Sequence, residues 1–492
     1  MSDKATLNRL DKLIEWVAPV WAAKRIAARD FNASYRGTAP TRSSGSWSES
    51  QSMTGIRVPT KVQQRGARNR SRSLDRNNVL ASSILDRAIE NIIGTGIQVQ
   101  PTTGVKEFDR QALDAWSRFK DSCDVTKRFH YDYMQRLMLR SCFRDGDVGA
   151  IMVDNNGQPQ KQLIEGDYLE SPPSKYIGGI AVDGVELDAS GAPLKFWIRT
   201  VDENWKTTFT SIPERDFQFL ACLDRFQEYR GMPLFTQAFD WFDNIEGYAE
   251  GTVITARAGT LFSLLIKKNG SNGAVSKLPS MTNSAGNSQR YKSIEGGTIK
   301  YLEPDEDVVQ VDPKHPTQSF PESIASFCRF VGLKFGLPIE EVLLDYSRAN
   351  YTVSRAIKMK IQRVAEIHQQ NFASNIVSRD YRWVISKAIK TGLITARPPQ
   401  NYWQHDIIPD PIPLVDPLKD LQASQLGIEM CINSRTAVAR ENGKDFQKII
   451  EQNKLDREAM NTAGVPINDS TTPQQAQQPQ QTQQDTGTQN NG

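Results

Sequence analysis

The chain has no uninterrupted apolar run of about eighteen residues, the length a membrane-spanning helix needs. Cysteine is sparse. The five residues Cys123, Cys142, Cys222, Cys328 and Cys431 are odd in number and scattered, so they read as reduced core thiols and not as a disulfide framework. An excess of one charge is also lacking. The formal net charge is +3 over 492 residues, too even for a protein that grips DNA through bulk charge, so any nucleic-acid contact must be local or weak. Met1 to Leu13 is charged and carries no apolar signal core, from which synthesis in the cytosol is expected.

Catalytic signatures are missing too. The Gly-Lys pair Gly443-Lys444 continues with Asp445, unlike the phosphate-binding loop of a nucleotide-driven motor. His130, His315, His368 and His405 lie far apart without metal-ligand spacing, and His368, among Gln369, Gln370 and Asn371, reads as helix surface. Neither a nucleophile elbow nor a dinucleotide fingerprint is present. Asp145, Asp147 and Asp167 are the carboxylates that could serve a two-metal nuclease, although the same residues fit strand-edge and turn positions. The expectation is no catalytic residue, no metal and no cofactor.

What is present is an alternation of helical and strand signals. Helical periodicity marks residues 1–30, with Trp16 and Trp21, and a Ser/Gly/Thr-rich strap follows over 36–55. Arg57, Lys61, Arg65, Arg68, Arg70, Arg72 and Arg76 form a basic run that reads as a solvated or intersubunit helical face in preference to a DNA clamp. Helix is expected to continue through Leu80 to Ile92 and stop at Gly94-Thr-Gly96. Further helices are expected at Phe108–Phe119 and Tyr131–Phe143. Hairpin signatures at Asn155-Asn-Gly157 and Asp183-Gly184 then mark a small β-rich region.

Helix returns at Leu234 to Ala258 and again at Pro321 to Phe335. Between them the β-like segments Leu264–Ile266, Gly297–Tyr301 and Val308–Val311 enclose a polar loop, Asn269 to Gln289. A proline-rich connector, Pro398 to Pro417, leads to two short helices, Arg435–Asn442 capped by Ser434 and Phe446–Met460 capped by Asp445. The Gln-rich tail after Asn468 has too little apolar content to pack and is expected to be disordered.

The stretch from Gly336 to Ile389 carries most information. An acidic loop (Glu340, Glu341, Asp345) runs into a long amphipathic helix whose apolar positions Val353, Ile357, Ile361, Val364, Ile367, Phe372, Ile376 and Val377 fit a 3.6-residue period. Its expected length is on the order of 50 Å, which suits a subunit spanning a large assembly.

These blocks, in this order, resemble the lambda-type family of phage portal (head–tail connector) proteins over about residues 30 to 460. They are Ser34 to Gly37 with Arg42 and Trp47, Arg70 to Asn78 leading into Asn91–Ile97, and the Gly184–Trp197 hairpin. Arg225 to Pro233 follows, containing Arg230-Gly231, then Asn350-Tyr351-Thr-Val-Ser-Arg355, and Val415 to Lys419. Two departures stand out: Thr352-Val353 replaces a small Ser-Ser, and a Gly-x-Thr element appears only as Gly427 and the distant Thr436.

The resemblance implies an α+β portal fold. Its wing would occupy residues 1–233 with the N-terminal helices. Two stem helices would lie at 234–258 and 317–335, with a β-rich clip insert at 259–316 between them. A tunnel loop and long spine helix would follow over 336–397, then a helical crown at 398–460 and a disordered tail. It further implies a non-enzymatic homo-oligomer, a dodecameric ring at the capsid vertex of the virion, assembled in the host cytoplasm and threaded by double-stranded DNA during packaging and ejection. The partners implied are the terminase large subunit, the major capsid protein and scaffold, and head-completion or tail connector proteins, with no membrane. Helices about 10 Å wide around a duplex close at on the order of ten to twelve copies. Arg348, Asn350 and Tyr351 are the channel candidates, Arg348 suiting either a phosphate contact or an intersubunit ion pair. Lys267 and Lys268 are the clip candidates. A metal-dependent nuclease is the alternative.

Overall fold

The computed structural model describes residues 61–173, 180–201, 205–226, 228–261, 264–268, 306–310, 320–347, 350–411 and 416–463, with backbone alone at 62, 258–261, 264–268 and 306–310. The expected helices of residues 1–30, the blocks at Ser34–Gly37, Arg42 and Trp47, the loop Asn269–Gln289, Gly297–Tyr301, Arg348 and the tail beyond 463 lie outside the described residues. The chain divides into two compact units, Met1–Val415 and Asp416–Gly492.

In the first unit, α1 (Lys61–Asn77) and α2 (Val79–Ile92) replace the single helix expected there. The break falls at Asn78, whose extended backbone and side-chain oxygen, accepting from Ala81 N at 3.0 Å, cap α2. Strand β1 (Gln98–Pro101), α3 (Lys106–Ser122) and α4 (Tyr131–Asp145) follow. Ile84, Leu85, Ile92, Phe108, Trp116, Met134 and Met138 of these helices all point into one buried cluster.

Two antiparallel sheets come next. β2 (Asp147–Asn155) is flanked by β3 (Gln158–Glu165) and β8 (Phe217–Ala221), while β4 (Ile180–Val182), β5 (Val185–Leu187), β6 (Pro193–Val201) and β7 (Thr207–Pro213) form a meander. Both expected hairpins are present, their turns using left-handed backbone at Asn156-Gly157 and Asp183-Gly184. A satellite core of Ile164, Leu169, Val185, Phe196, Ile198 and Phe217 joins the two sheets.

After β8 come α5 (Phe239–Leu261), the antiparallel strands β9 (Leu264–Lys268) and β10 (Glu306–Gln310), and α6 (Phe320–Phe335). The strands therefore sit on an excursion between two helices, as expected. Helices α5 and α6 are zipped by aromatic contacts: Trp241 stacks on Phe330 with ring centroids 4.5 Å apart, and Tyr248 on Phe320 at 5.5 Å.

Gly336 ends α6 with φ +67°, and a Cβ there would lie 2.8 Å from Val364. Only glycine allows this close reversal onto the long helix. The short helix α7 (Ile339–Leu343) follows, and then the long helix itself. That helix comprises α8 (Tyr351–Phe372), a π-helical turn over Ala373–Val377, and α9 (Ser378–Lys390). It runs about 60 Å at 1.5 Å per residue. Its buried side is drawn from Ile361, Ala365, Phe372, Ile376, Val377, Tyr381, Val384, Ile385 and Ala388, whereas Val353 and Ile367 are exposed. Strand β11 (His405–Ile408) then returns to pair with β1, from which it is about three hundred residues distant.

In the second unit, α10 (Pro417–Glu429) is an addition to the two expected helices, started by Asp416 accepting from Lys419 N and by Pro417 in the first turn. α11 (Arg435–Glu441) is capped by Ser434 and α12 (Phe446–Ala463) is preceded by Asp445, whose carboxylate accepts from Gln447 N and Lys448 N. None of these three helices has a buried residue.

Candidate functional site

The loop that enters the long helix is built around an acidic turn. Leu344, at the C-terminus of α7, adopts φ +52°, a costly left-handed conformation for a leucine. Beyond it the Tyr346 hydroxyl donates to Glu341 at 2.6 Å, and Ser347 N donates to the carboxylate of Asp345. Burial, then the bond to Glu341, pushes the Tyr346 phenol up to about 12, so it stays a neutral donor.

Asn350 caps α8, its side-chain oxygen accepting from Val353 N at 2.9 Å. Tyr351 in the first turn and Arg355 at the start of the second are exposed. Asn350, Tyr351 and Arg355 are thus brought together at one helix N-terminus. The register of β9 against β10 sets Lys267 opposite Asp307 and Lys268 opposite Glu306.

The Arg-Gly element near residue 230 has a different role from the loop. Arg225 is exposed, while Arg230 is only 2% exposed. The Arg230 guanidinium donates to both oxygens of Asp147, at 2.6 and 3.1 Å, and to the carbonyls of Gly166, Leu169 and Asp183 at 2.6, 3.0 and 2.6 Å. These bonds use all five donors of its fork. Gly231 N adds a bond to Asp147 at 3.2 Å, and a side chain at Gly231 would collide with the backbone of Gly146.

Arg68 reaches the same centre, contacting Asp147 at 3.2 Å, Asp167 at 2.7 Å and the carbonyl of Asp145 at 3.0 Å. Asp145 is held bidentately by Arg72 (2.9 and 2.8 Å) and by Arg144 (2.8 and 2.8 Å), and Arg72 also binds Asp167. Burial works against ionisation of Asp145 and Asp167, yet bonds from Arg144 and Arg72 to the first, and from Arg68 and Arg72 to the second, hold both carboxyls below their usual range.

Two readings change as a result. The carboxylates Asp145, Asp147 and Asp167, weighed as a nuclease centre, are filled by guanidinium groups, which leaves a metal-binding reading without support. The basic run is not mainly a solvated or intersubunit face. Lys61 and Arg65 pair with Glu170, Arg70 with Asp243, and Arg68 and Arg72 with the buried aspartates. The four-residue step from Arg68 to Arg72 puts both on one side of α1, and beside the acidic Asp145-Gly-Asp147 it was the available signal.

A second buried polar centre has no local signal in the sequence. Lys161 on β3 and Asp380 on α9 are both fully buried and lie 2.7 Å apart. Asp380 also accepts from Tyr131 at 2.7 Å and from Gln218 at 2.9 Å, and Gln218 donates to the carbonyl of Ile376 in the π-helical turn at 3.4 Å. The Tyr131 phenol is raised well above its usual range by burial and then by Asp380. His368 is not on the surface. It is half-buried with its ring edge-on to Phe143 at 5.4 Å, and burial lowers its pKa.

This arrangement is a mixed helix and sheet scaffold, locked by buried ion pairs, that carries a capped loop and a long helix. The family model for lambda-family phage portal proteins matches residues 41–369. The chain belongs to that family, whose members are head–tail connector proteins of bacteriophage virions. A probable portal protein of Halomonas phage phiHAP-1 is 22% identical over 383 residues, spanning 72% of this chain and 71% of the relative. Among solved structures, the chain is similar to one from the virion of a native gene transfer agent particle, at 13% identity and TM-score 0.49, over 80% of this chain and 97% of that one. It is also similar to one from the neck of the native particle computed with C12 symmetry, at 14% identity and TM-score 0.46, over 76% and 93%.

Proposed function

We propose that the chain is one subunit of a closed ring at a capsid vertex, through which double-stranded DNA is packaged and ejected. The observation that carries this reading is the family match through 41–369, which spans the two sheets of β2 to β8, the paired helices and most of α8. In it, residues up to 233 are the wing, α5 and α6 the stem, β9 and β10 part of the clip, and the long helix the spine. The tunnel loop falls near 338–352, and the helices after Asp416 belong to the crown.

Ring formation needs apolar surface that a lone subunit leaves uncovered. Val253, Ile254, Phe330 and Leu333 on α5 and α6 are exposed, as are Leu418, Leu421, Leu426, Met430 and Ile432 in the second unit. Such faces support burial against neighbouring copies.

DNA must slide, and a bore that neutralised many phosphates would hold it. The acidic stretch of Glu340 and Glu341 on α7 with Asp345 beyond it supports passage over capture. Arg348 is the direct phosphate contact in this reading. The Asn350 oxygen is engaged as the helix cap, so its amide nitrogen is the group offered to DNA, beside Tyr351. Lys267 and Lys268 meet DNA at the clip, where the terminase motor and the head-completion proteins dock in turn. The capsid protein and scaffold meet the outer surface.

Negative-stain electron microscopy of the full chain tests this: rings with a central hole of duplex width are expected. Discrete monomers at high concentration, or divalent-metal-dependent duplex cleavage by the folded wild-type protein, would overturn it.

A further inference from the structure

Cys142 and Cys222 lie 80 residues apart in sequence, yet their sulfurs are 3.4 Å apart. Cys142 is buried in the last turn of α4, and Cys222, half-buried, follows β8 directly. The Cys222 thiol is also within reach of the Cys142 carbonyl, at 3.5 Å. Both backbones are pinned. Gly146 N donates to the Cys142 carbonyl at 2.9 Å, Cys222 N to the Gly146 carbonyl at 2.8 Å, and Met232 N to the Cys222 carbonyl at 3.4 Å. A side chain on Gly231 would press on Cys222 N. The two sulfurs are therefore neighbours because the fold holds them so, not because a loose loop has drifted into contact.

We propose that Cys142 and Cys222 form a dithiol site that closes to a disulfide by exchange with a small-molecule disulfide of the glutathione class. A disulfide needs its sulfurs at about 2.05 Å, an approach of roughly 1.4 Å that side-chain rotation supplies. The half-buried Cys222 attacks first. Its thiolate forms a mixed disulfide with one half of the reagent and expels the other half as a thiol. That step removes the hydrogen bond with Cys222, which is the leading cause, ahead of burial, of the raised Cys142 pKa. Cys142 then loses its proton and attacks the Cys222 sulfur, expelling the second half. Two protein thiols are oxidised by two electrons, and one small disulfide is reduced to two thiols.

All of β2 to β8 lies between the two residues. Closure would staple the two ends of the sheet region beside the Arg230–Asp147 pair, linking them covalently. Cys123 and Cys328 are buried elsewhere and Cys431 is exposed in the second unit, so the reaction is specific to one pair. A portal made in a reducing cytosol and carried out in a particle would meet both states. That timing rests on the portal reading, but the chemistry does not.

The test treats the wild-type full-length protein with oxidised glutathione, or with dithiothreitol as control, then alkylates it under denaturing conditions and maps the peptides by mass spectrometry. The expected result is the loss of two alkylatable thiols, a Cys142–Cys222 linked peptide and a higher unfolding temperature, with all three effects absent in Cys222→Ala. Because the mapping uses wild type, misfolding of the variant does not decide the outcome. Five thiols still alkylated, glutathione retained on Cys222 without closure, or a Cys431–Cys431 link between chains would each overturn the proposal.

Discussion

Asp380 of α9 and Lys161 of β3 form a 2.7 Å ion pair with no exposed surface on either side chain, and this contact fastens the sheet region to the long helix. Removing one partner leaves a buried charge without its counter-ion, which costs about 3–5 kcal/mol. Asp380→Asn and Lys161→Met should each lower the unfolding free energy measured in urea by that order. The double variant should lose clearly less than the sum, because the orphaned charge is gone. Additive losses would show that the two residues act separately.

Arg230 uses every donor of its fork, so the planar shape matters as well as the charge. Lysine offers three donors from a single point. Arg230→Lys should therefore unfold at a lower temperature than wild type, and Arg230→Ala lower still, with a total stability loss of about 3–5 kcal/mol. A wild-type melting curve for Arg230→Lys would refute the clamp.

Asp145 and Asp167 have folded pKa values below the ordinary 3.8. A depressed folded pKa contributes stability that is complete above the unfolded value and vanishes as pH falls through the folded one. The contribution of these carboxylates should be complete above about pH 4 and lost below it, beneath an earlier loss that begins below about pH 6.5 because burial lowers the His368 pKa. Asp145→Asn should be less stable at neutral pH and show a shallower acid decline. An unchanged acid slope in that variant would exclude Asp145 from the effect.

Asn350 has a structural duty that substitutions can separate from DNA contact. Asn350→Ala should cost about 1 kcal/mol and speed hydrogen exchange at the first amides of α8. Asn350→Asp keeps the cap but sets a negative charge against phosphate. It should preserve exchange protection while weakening DNA retention in rings. Equal DNA retention in wild type and Asn350→Asp would remove this residue from the channel.

Local signals were legible in the sequence, because they depend on backbone chemistry a few residues wide. The turns at Asn156-Gly157 and Asp183-Gly184, the caps at Ser434 and Asp445, and the Gly336 stop all stand where the residue types put them. β7 has little strand signal because it is an edge strand made mostly of threonine and serine, with only Phe209 and Ile212 half-buried. The β1–β11 pairing has no local signal at all. The buried centres were hidden for a related reason: Arg68, Arg72, Lys161 and Asp380 look like solvated charges until a distant segment supplies the counter-ion. The channel candidates rest on the family resemblance. Geometry has since given Asn350 a definite partner, Val353 N, and shown that Arg230 belongs to the scaffold.

The π-helical turn at Ala373–Val377 means that the long helix carries one spare residue. Each residue of an α-helix advances the azimuth by about 100°, so an ordinary deletion would swing one half of the rod out of register with its core. Upstream, α8 packs on α2; downstream, α9 packs on α3 and β3. Loss of a residue inside the wide turn is the exception. The turn would contract to normal α-helical pitch while Ile361 and Ala365 on one side, and Tyr381 and Ile385 on the other, kept their facings. In this long helix, tolerance to length change is concentrated at that one turn.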